Sequence, residues 1–389
     1  MANDLTFKQL STVLNAICEQ ATGHSAITPT NTSEFVAVGQ TALLAGYDPV
    51  MNAVSQVLSK TIFSVRPYYE KFGGLRVDSL KWGNIVRKLS VVDSDFVNDP
   101  RYTLENGQTV DQFIVRKPEV LQLNYYGGDT VADFVTIFKD QLDTAFTGPD
   151  QFGSFISMVM QNMADKHSQA RENLARAAVA NFIAGKVAGD TGSVRHLLTE
   201  YNNATGLSLT PQSVRQPDNY PSFAKWSYAE VATASSMMTE RSEKFHINVT
   251  GKELKRHSPY QRQKVFIYAP ERFHMEARVL ADAFHDNYLR YAANETVNFW
   301  QSIDTPNQIQ VKPSYLNSEG GITTPSEAVT VNNVFSLIAD EEAVGYTILR
   351  EWMAPTVMDV AGGYHNIWYH FDRRYWNSFD ENGIVFLMD

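Results

Sequence analysis

The sequence predicts an α+β fold in which one long helix lies across a sheet. Apolar residues recur every three or four positions from Pro149 to Gly185, which is the helical period. The segment "KVFIYAP", which ends at Pro270, and the segment "GIVFLMD" are instead short apolar runs typical of buried strands. The chain has 389 residues, 43% of them hydrophobic, so it is large enough for two or three domains with real cores.

The long helix is the clearest single element. Pro149 presets its entry, and Gly185 is a suitable left-handed stop. At about 1.5 Å per residue the segment spans roughly 54 Å. We expect its opposite face, which carries Arg171, Glu172 and Arg176, to be polar.

The region before this helix divides into an arm and a hairpin. Residues 1–65 predict short helices around Thr6–Ala21 and Tyr47–Ile62 with little core, so we expect an arm that packs on something else. Two strand-like segments follow, at 75–93 and 120–126, and a polar stretch with turn signals separates them. This pattern predicts an extended hairpin, which is marginal alone and would lie on another molecule.

The remaining elements are predicted in chain order. A helix is expected from Thr130 through Phe146, and residues 188–225 are expected to be mostly loop. Further helices are predicted at Tyr228 to about Glu243 and at Phe273–Tyr291. Short strands are predicted at 298–334, and aromatic-rich strands follow in "NIWYHFDRRYW" and "GIVFLMD".

Composition limits the function. The net charge of −10 does not suit a dedicated nucleic-acid binder, although it permits a local basic patch. Cys18 is the one cysteine, so the chain has no internal disulfide and no cysteine pair for a zinc site, and we expect Cys18 to be a small buried apolar residue. There is no signal-peptide pattern and no run of 18 apolar residues, so we expect a soluble protein made inside the cell.

No catalytic residue, cofactor or metal is predicted. The sequence has no G-x-S-x-G, H-E-x-x-H or Walker motif. Asp93, Asp95 and Asp99 resemble a calcium loop only in spacing, because the turn glycine and the bidentate glutamate are missing, and a solvated hairpin tip is favoured. His365 and His370 would point to opposite faces of a strand, so the cluster around them reads as an interface stripe.

Three long segments carry a family resemblance. They are "TVADFVTIFKDQLDTAF" leading into "FGSFISMVMQNMADKHSQARENLARAAVANFIAG", then "KVFIYAPERFHMEARVLADAFHDNYL", and finally "LIADEEAVGYTILREW" with "NIWYHFDRRYWNSFDENGIVFLMD". In this order they resemble the major capsid proteins of tailed bacteriophages, which have the Hong Kong 97-type fold. The resemblance covers most of residues 60–389.

The resemblance implies a domain division and a function. Residues 1–65 would be an N-terminal arm, 66–129 an extended two-stranded loop, 130–190 a peripheral domain with the spine helix, 191–345 an axial domain, and 346–389 the C-terminal strands of the peripheral domain. The chain would self-assemble, as pentamers and hexamers, into the icosahedral shell around a double-stranded DNA genome, without sequence-specific DNA binding. Its expected partners are a scaffolding protein, a portal and decoration proteins, and its expected location is the virion after assembly in the host cytoplasm.

Charged and aromatic residues of the hairpin and the last strands are the candidate intersubunit contacts, because ion pairs set register and angle more than strength. These candidates are Arg76, Arg87, Asp95, Arg101, Tyr369, Arg373 and Arg374. Three alternatives stay open at this point. They are an encapsulin-like nanocompartment shell, a hydrolase with a dispersed Asp/His site, and a discrete tail or baseplate component.

Overall fold

The structure is a computed structural model of the chain. It describes residues 6–24, 28–61, 72–77, 86–93, 99–111, 113, 115, 117–125, 129–189, 191–279 and 294–389. The candidate residue Asp95 and the predicted helix beyond Val279 lie outside the described residues.

Helices and strands are mixed along the described chain, which confirms the α+β class. The helices are α1 (Phe7–Thr22), α2 (Thr32–Leu44), α3 (Tyr47–Thr61), α4 (Lys139–Ala145), α5 (Pro149–Gly189), α6 (Leu197–Thr205), α7 (Tyr220–Met237) and α8 (Ala269–Val279). The strands are β1 (Val86–Val91), β2 (Val120–Tyr125), β3 (Asp129–Phe138), β4 (Val194–His196), β5 (Gln263–Tyr268), β6 (Asn294–Val297), β7 (Gln308–Val311), β8 (Tyr315–Leu316), β9 (Ile322–Thr323), β10 (Val329–Asn332), β11 (Val334–Asp340), β12 (Val344–Pro355), β13 (Tyr364–Asn377) and β14 (Gly383–Leu387). None of the helices within the described ranges is long and apolar enough to cross a membrane.

A three-stranded antiparallel sheet in the order β12-β13-β3 covers the first hydrophobic core. Ile367 and Tyr369 of β13 face this core, which also receives Leu14 of α1, Phe35 of α2 and Val54 of α3. The N-terminal region is therefore not an arm with little core, because its three helices supply much of this one. Cys18 is buried in the same core, as predicted.

The prediction of a helix from Thr130 to Phe146 is wrong over its first half. Residues Asp129–Phe138 form β3 and pair with β13, and the helix begins only at Lys139. Phe134, Ile137 and Phe138 happen to fit the helical period. However, the segment is rich in Thr, Val and Ile, which favour a pleated sheet, and its neighbour β13 supplies the backbone partners.

A five-stranded sheet in the order β4-β14-β11-β5-β6 separates two further cores. Alternate residues of β11 face opposite sides: Leu337 packs toward α5, and Ile338 packs toward α6–α8. Because both faces are covered, every residue of β11 is buried. The C-terminal residues 346–389 are thus divided between two sheets, since β14 belongs to this one and β12 and β13 to the other.

Two helix boundaries in this region also differ from prediction. The predicted helix from Tyr228 begins at Tyr220, with Pro221 in its first turn, and ends at Met237. Helix α6 lies within the stretch that was predicted to be mostly loop, where Gly206 forms its left-handed cap.

The predicted long helix is confirmed as α5, which has 41 residues and is therefore about 60 Å long. Its first half contributes Phe152 to the core under the three-stranded sheet, and its second half contributes Phe182 to the core under the five-stranded sheet. Gly185 does not end it. A Cβ at this position would lie 2.5 Å from the Phe379 ring, so this glycine permits close packing and the helix continues to Gly189.

The predicted polar face of α5 is partly buried. Glu172 and Arg176 are among the buried charged residues and form an ion pair of 2.6 Å one turn apart. The guanidinium of Arg176 also lies 3.7 Å from the centre of the Phe299 ring. The sequence period could not reveal this, because the partner ring comes from a segment more than a hundred residues away.

The predicted extended hairpin is confirmed in its two strands. β1 and β2 pair antiparallel, from Val86 opposite Tyr125 to Val91 opposite Val120. At the start of the predicted first strand, Leu75 ends a 3₁₀ turn of residues 73–75, and residues 78–85 lie outside the described residues.

Candidate intersubunit surfaces

The described residues of the hairpin tip, 99–111, 113, 115 and 117–119, include exposed apolar side chains. Phe113 and Val115 are 80% and 79% exposed, and Tyr102, Leu104 and Val110 are exposed as well. Each of these side chains is unfavourable in water, and several on one short segment indicate a contact surface. We call these five residues the hairpin tip cluster.

The root of the hairpin is held by a charge cluster of two buried carboxylates and two partly buried cations, which we define as Lys88, Arg256, Asp380 and Glu381. The Lys88 ammonium lies 2.9 Å from an Asp380 oxygen and 2.6 Å from a Glu381 oxygen. The Arg256 guanidinium lies 2.8 Å and 3.3 Å from the same two carboxylates. Burial raises the pKa of the Glu381 carboxyl, although the charges of Lys88 and Arg256 act in the opposite direction. The cluster therefore pairs two cations from different segments with two adjacent anions.

Further polar contacts fix the same root. Arg256 donates a hydrogen bond of 2.8 Å to the Ser90 hydroxyl, and the Tyr125 hydroxyl is hydrogen-bonded to that of Ser378. Asp93 forms an ion pair with Arg241 and accepts a hydrogen bond of 2.9 Å from the backbone N–H of Lys255. Burial, with a contribution from the nearby Asp380 carboxylate, raises the pKa of the Tyr125 hydroxyl. The hairpin thus has a fixed base and an exposed apolar end.

A second exposed surface lies on the three-stranded sheet, on the side away from α5. Its rings come from neighbouring strands: Trp352 stacks on His370 with ring centres 3.9 Å apart, and Phe134 packs against Trp368 at 4.7 Å. We call these four residues the aromatic face. Trp352 and Phe134 are 42% and 46% exposed, so a single copy of the chain leaves part of the face open.

The opposite side of this sheet packs against α5 through His167. The His167 ring contacts Phe371 at 4.0 Å and Tyr369 at 5.5 Å between ring centres. Burial lowers the pKa of His167 to about 4, so the imidazole is neutral at pH 7. The environment is that of a packed aromatic contact.

The six predicted contact residues that the structure describes fall in different environments. Arg76 and Arg87 are exposed and form no ion pair with the described residues, whereas the exposed Arg101 is paired with Asp99. Tyr369 and Arg374 are 4% and 5% exposed, which leaves little of either side chain for contact with another copy.

Arg373, the sixth described candidate, is half-buried. Its guanidinium donates a hydrogen bond of 3.5 Å to the Ala170 carbonyl of α5. It therefore fixes the sheet to the helix.

Sequence reasoning missed the charge cluster and identified the aromatic face only in part, as the interface stripe predicted around His365 and His370. The two cations of the charge cluster and its pair of adjacent carboxylates lie more than a hundred residues apart in sequence, so no local signal connects these three segments. The aromatic face carried a signal, since Trp368 and His370 stand two apart in a strand and share a face.

The described Asp and His residues of the two candidate metal motifs make other contacts. Asp93 and Asp99 are both engaged in ion pairs with arginines. His365 and His370 lie on opposite faces of β13, as strand alternation predicts, because His365 is buried and His370 stacks on the exposed face. Within the described part of the chain, no group of three potential ligands is close enough to hold a metal ion.

The chain is similar to known proteins over most of its length. A model of the Phi29-like phage major capsid protein family matches residues 14–387. A chain in the capsid structure of Staphylococcus phage Andhra has 10% sequence identity and a TM-score of 0.57, over 83% of this chain and 85% of that one. No curated protein sequence matches significantly.

A second similar chain comes from the structure of head fiber and inner core protein gp22 of native bacteriophage P68. It has 11% identity and a TM-score of 0.57, over 83% of this chain and 86% of that one. At such low sequence identities the two solved structures show only that the fold is shared. The family model, which matches residues 14–387, shows to which family the chain belongs. The chain belongs to the Phi29-like phage major capsid protein family and is a structural protein of the phage head shell.

Proposed function

We propose that copies of this chain assemble as pentamers and hexamers into an icosahedral head shell around double-stranded DNA, and that the hairpin of each copy lies on a neighbouring copy. The observation that carries this proposal is the hairpin tip cluster, whose apolar side chains a single copy leaves in water. Burying them against a neighbour removes that cost.

The fixed root supports the same proposal. A hairpin alone is marginally stable, but the charge cluster holds its base at one angle to the body of the chain. The tip is therefore presented in a defined direction, which reduces the entropy lost on binding. Each contact need only be weak, because every copy in a shell makes several at once.

The remaining contacts are assigned by exposure. Arg76 and Arg87 are available for ion pairs that set the angle between copies, and the aromatic face is a second contact surface. Asp95 and Arg101 lie near the tip in sequence and belong to the same contact. Tyr369, Arg373 and Arg374 contribute by holding the sheet that carries the aromatic face.

We divide the chain into domains according to its hydrophobic cores. The three-stranded sheet with α1–α5 corresponds to the peripheral domain of the Hong Kong 97-type fold, and the five-stranded sheet with α6–α8 corresponds to its axial domain. Separate hydrophobic cores support this division. A scaffolding protein, a portal and decoration proteins are the partners of such a shell, which assembles in the host cytoplasm.

The family match favours this function over the alternatives. A nanocompartment shell would share the fold but not the phage family, and a hydrolase would need a catalytic group that the family does not imply. The family therefore implies a structural role rather than an enzymatic one.

Replacing two residues of the hairpin tip cluster tests the proposal. In the double variant Phe113→Ser, Val115→Ser, we expect an unchanged circular dichroism spectrum but loss of closed particles in electron microscopy, with and without the phage scaffolding protein. The control is Ile303→Ser, which removes an equally exposed apolar side chain outside the hairpin. Closed particles of the double variant in wild-type yield would refute the hairpin contact.

A further inference from the structure

A cavity of about 600 Å³ lies where the hairpin meets the body of the chain. Its walls come from β2, from β13, from α5 and from the segment 312–322. Three cationic residues line it, Lys312, Arg373 and Arg374, and none of the described lining residues carries a carboxylate. In a chain with a net charge of −10, this is a local concentration of positive charge.

Lys312 is the lysine of this lining. Lys312 is exposed and forms no ion pair with the described residues. It differs in this from Lys88, whose ammonium is held between two carboxylates. Lys312 is therefore available to an anion that enters the cavity.

Asn377 adds an unsatisfied amide to the same lining. Its Nδ2 and Oδ1 atoms are both buried and have no hydrogen-bond partner in the described part of the chain. A buried amide without partners is unfavourable and calls for an explanation. Asn181, in another wall, provides the contrast, because it bonds the backbone of Ser314 at both ends, at 3.0 Å and 3.3 Å. A ligand with polar atoms would supply hydrogen-bond partners for the Asn377 amide.

Aromatic side chains complete the lining. Tyr375 is half exposed, and Trp376 packs over Gly345, where an added Cβ would meet the indole ring at 2.3 Å. Phe379 is stacked on Phe182 with ring centres 5.2 Å apart, which makes that wall rigid. Aromatic rings beside cations suit a flat unsaturated group that is attached to a negative charge.

We propose that this cavity binds a nucleotide, with Lys312 and the two arginines attracting the phosphate and the aromatic residues contacting the base. Its volume falls within the range of pockets that hold ligands of this size, about 300–1,000 Å³. Inorganic phosphate would leave the aromatic wall and the Asn377 amide without a role. The nucleotide is either free or one unit of a nucleic-acid strand, and the same chemistry recognises both.

Calorimetric titration of the purified full chain tests this site, with thymidine monophosphate, inorganic phosphate and a short oligodeoxythymidine as the three probes. We expect the monophosphate to bind more tightly than phosphate. We expect Lys312→Gln to weaken nucleotide binding by at least about 10-fold, the usual value of a charge-assisted contact. The matched control is Lys8→Gln, which removes an exposed lysine of α1 that forms no ion pair with the described residues and should leave binding unchanged.

The variant Tyr375→Ala tests the contact with the base separately from the contact with the phosphate. Because Tyr375 is half exposed, its loss should leave folding intact and should remove the preference for thymidine monophosphate over phosphate. Tighter binding of the oligodeoxythymidine than of the monophosphate would identify a strand as the source, and equal binding would identify the free nucleotide. Equal affinity for phosphate and thymidine monophosphate, or an unaltered affinity in Lys312→Gln, would overturn the proposal.

Discussion

Replacing Lys88 with methionine removes the cation that joins the hairpin to the carboxylates of Asp380 and Glu381. At the observed separations of 2.9 Å and 2.6 Å, each attraction is about 6 kcal/mol in a medium of effective dielectric constant about 20, before the cost of desolvation. Breaking a buried pair by removing one partner costs about 3–5 kcal/mol. Arg256 remains beside both carboxylates, so we expect the lower end, about 3 kcal/mol.

Amide hydrogen exchange of the unassembled chain measures this loss where it occurs. A local opening that becomes easier by about 3 kcal/mol speeds exchange in β1 by roughly 100-fold. The matched control is Arg87→Met, on the same strand, which removes an exposed cation with no ion pair to the described residues. It should change exchange by less than about 3-fold, as surface charges contribute little.

A double-mutant cycle identifies the cause. If Glu381→Gln is combined with Lys88→Met, the two effects should not add, because the residues contact each other. Exchange in Lys88→Met that matches the Arg87→Met control would refute the reasoning, since the cluster would then behave as a surface pair. Additive effects in the cycle would refute the assignment to Glu381.

Two other predictions follow from packing and protonation. The folded-state pKa of His167, about 4, lies below its usual value near 6.5, so this group's stabilisation is complete above pH 6.5 and is lost as the pH falls through about 4. Urea unfolding of His167→Phe and wild type should therefore diverge only below pH 6.5, by up to about 3 kcal/mol in favour of the variant, and parallel curves would contradict this. Gly185→Ala should lower the free energy of unfolding by about 1–3 kcal/mol, because its Cβ would lie 2.5 Å from the Phe379 ring. The control, Gly153→Ala in the same helix, meets only the flexible side chain of Leu10 at 3.2 Å, and equal losses in both variants would contradict the packing role of Gly185.

Elements whose signal is local could be predicted from the sequence. Helix α5 has a long run of helical periodicity after a proline, and the hairpin has two strand-like segments around turn residues. Strand β3 was missed because Phe134, Ile137 and Phe138 satisfy the helical period, whereas the partner that makes them a strand is β13, more than two hundred residues later. A local sequence pattern carries no information about strand pairing between segments so far apart in the chain.

The candidate contacts were predictable only in part, for a related reason. Alternation along β13 separates Tyr369 from Trp368 and His370, but nothing in the strand itself says which side meets α5. Tyr369 was chosen for its residue type and lies on the covered side. The charge cluster depends on three segments meeting, and its members look like ordinary surface charges in sequence.

The burial of charge along α5 has a mechanical consequence. Arg176 and Glu172 are paired on a covered side, and the Lys186 ammonium donates a hydrogen bond of 3.0 Å to the Phe245 carbonyl. Rolling the helix about its own axis would carry these charges against apolar side chains without their partners, at a cost of several kcal/mol. The second half of α5 therefore cannot rotate about the helix axis without losing these contacts, and its first half is packed in a different core. A force that displaces one core is therefore transmitted to the other core by pulling or tilting α5, and not by rotating the helix about its axis.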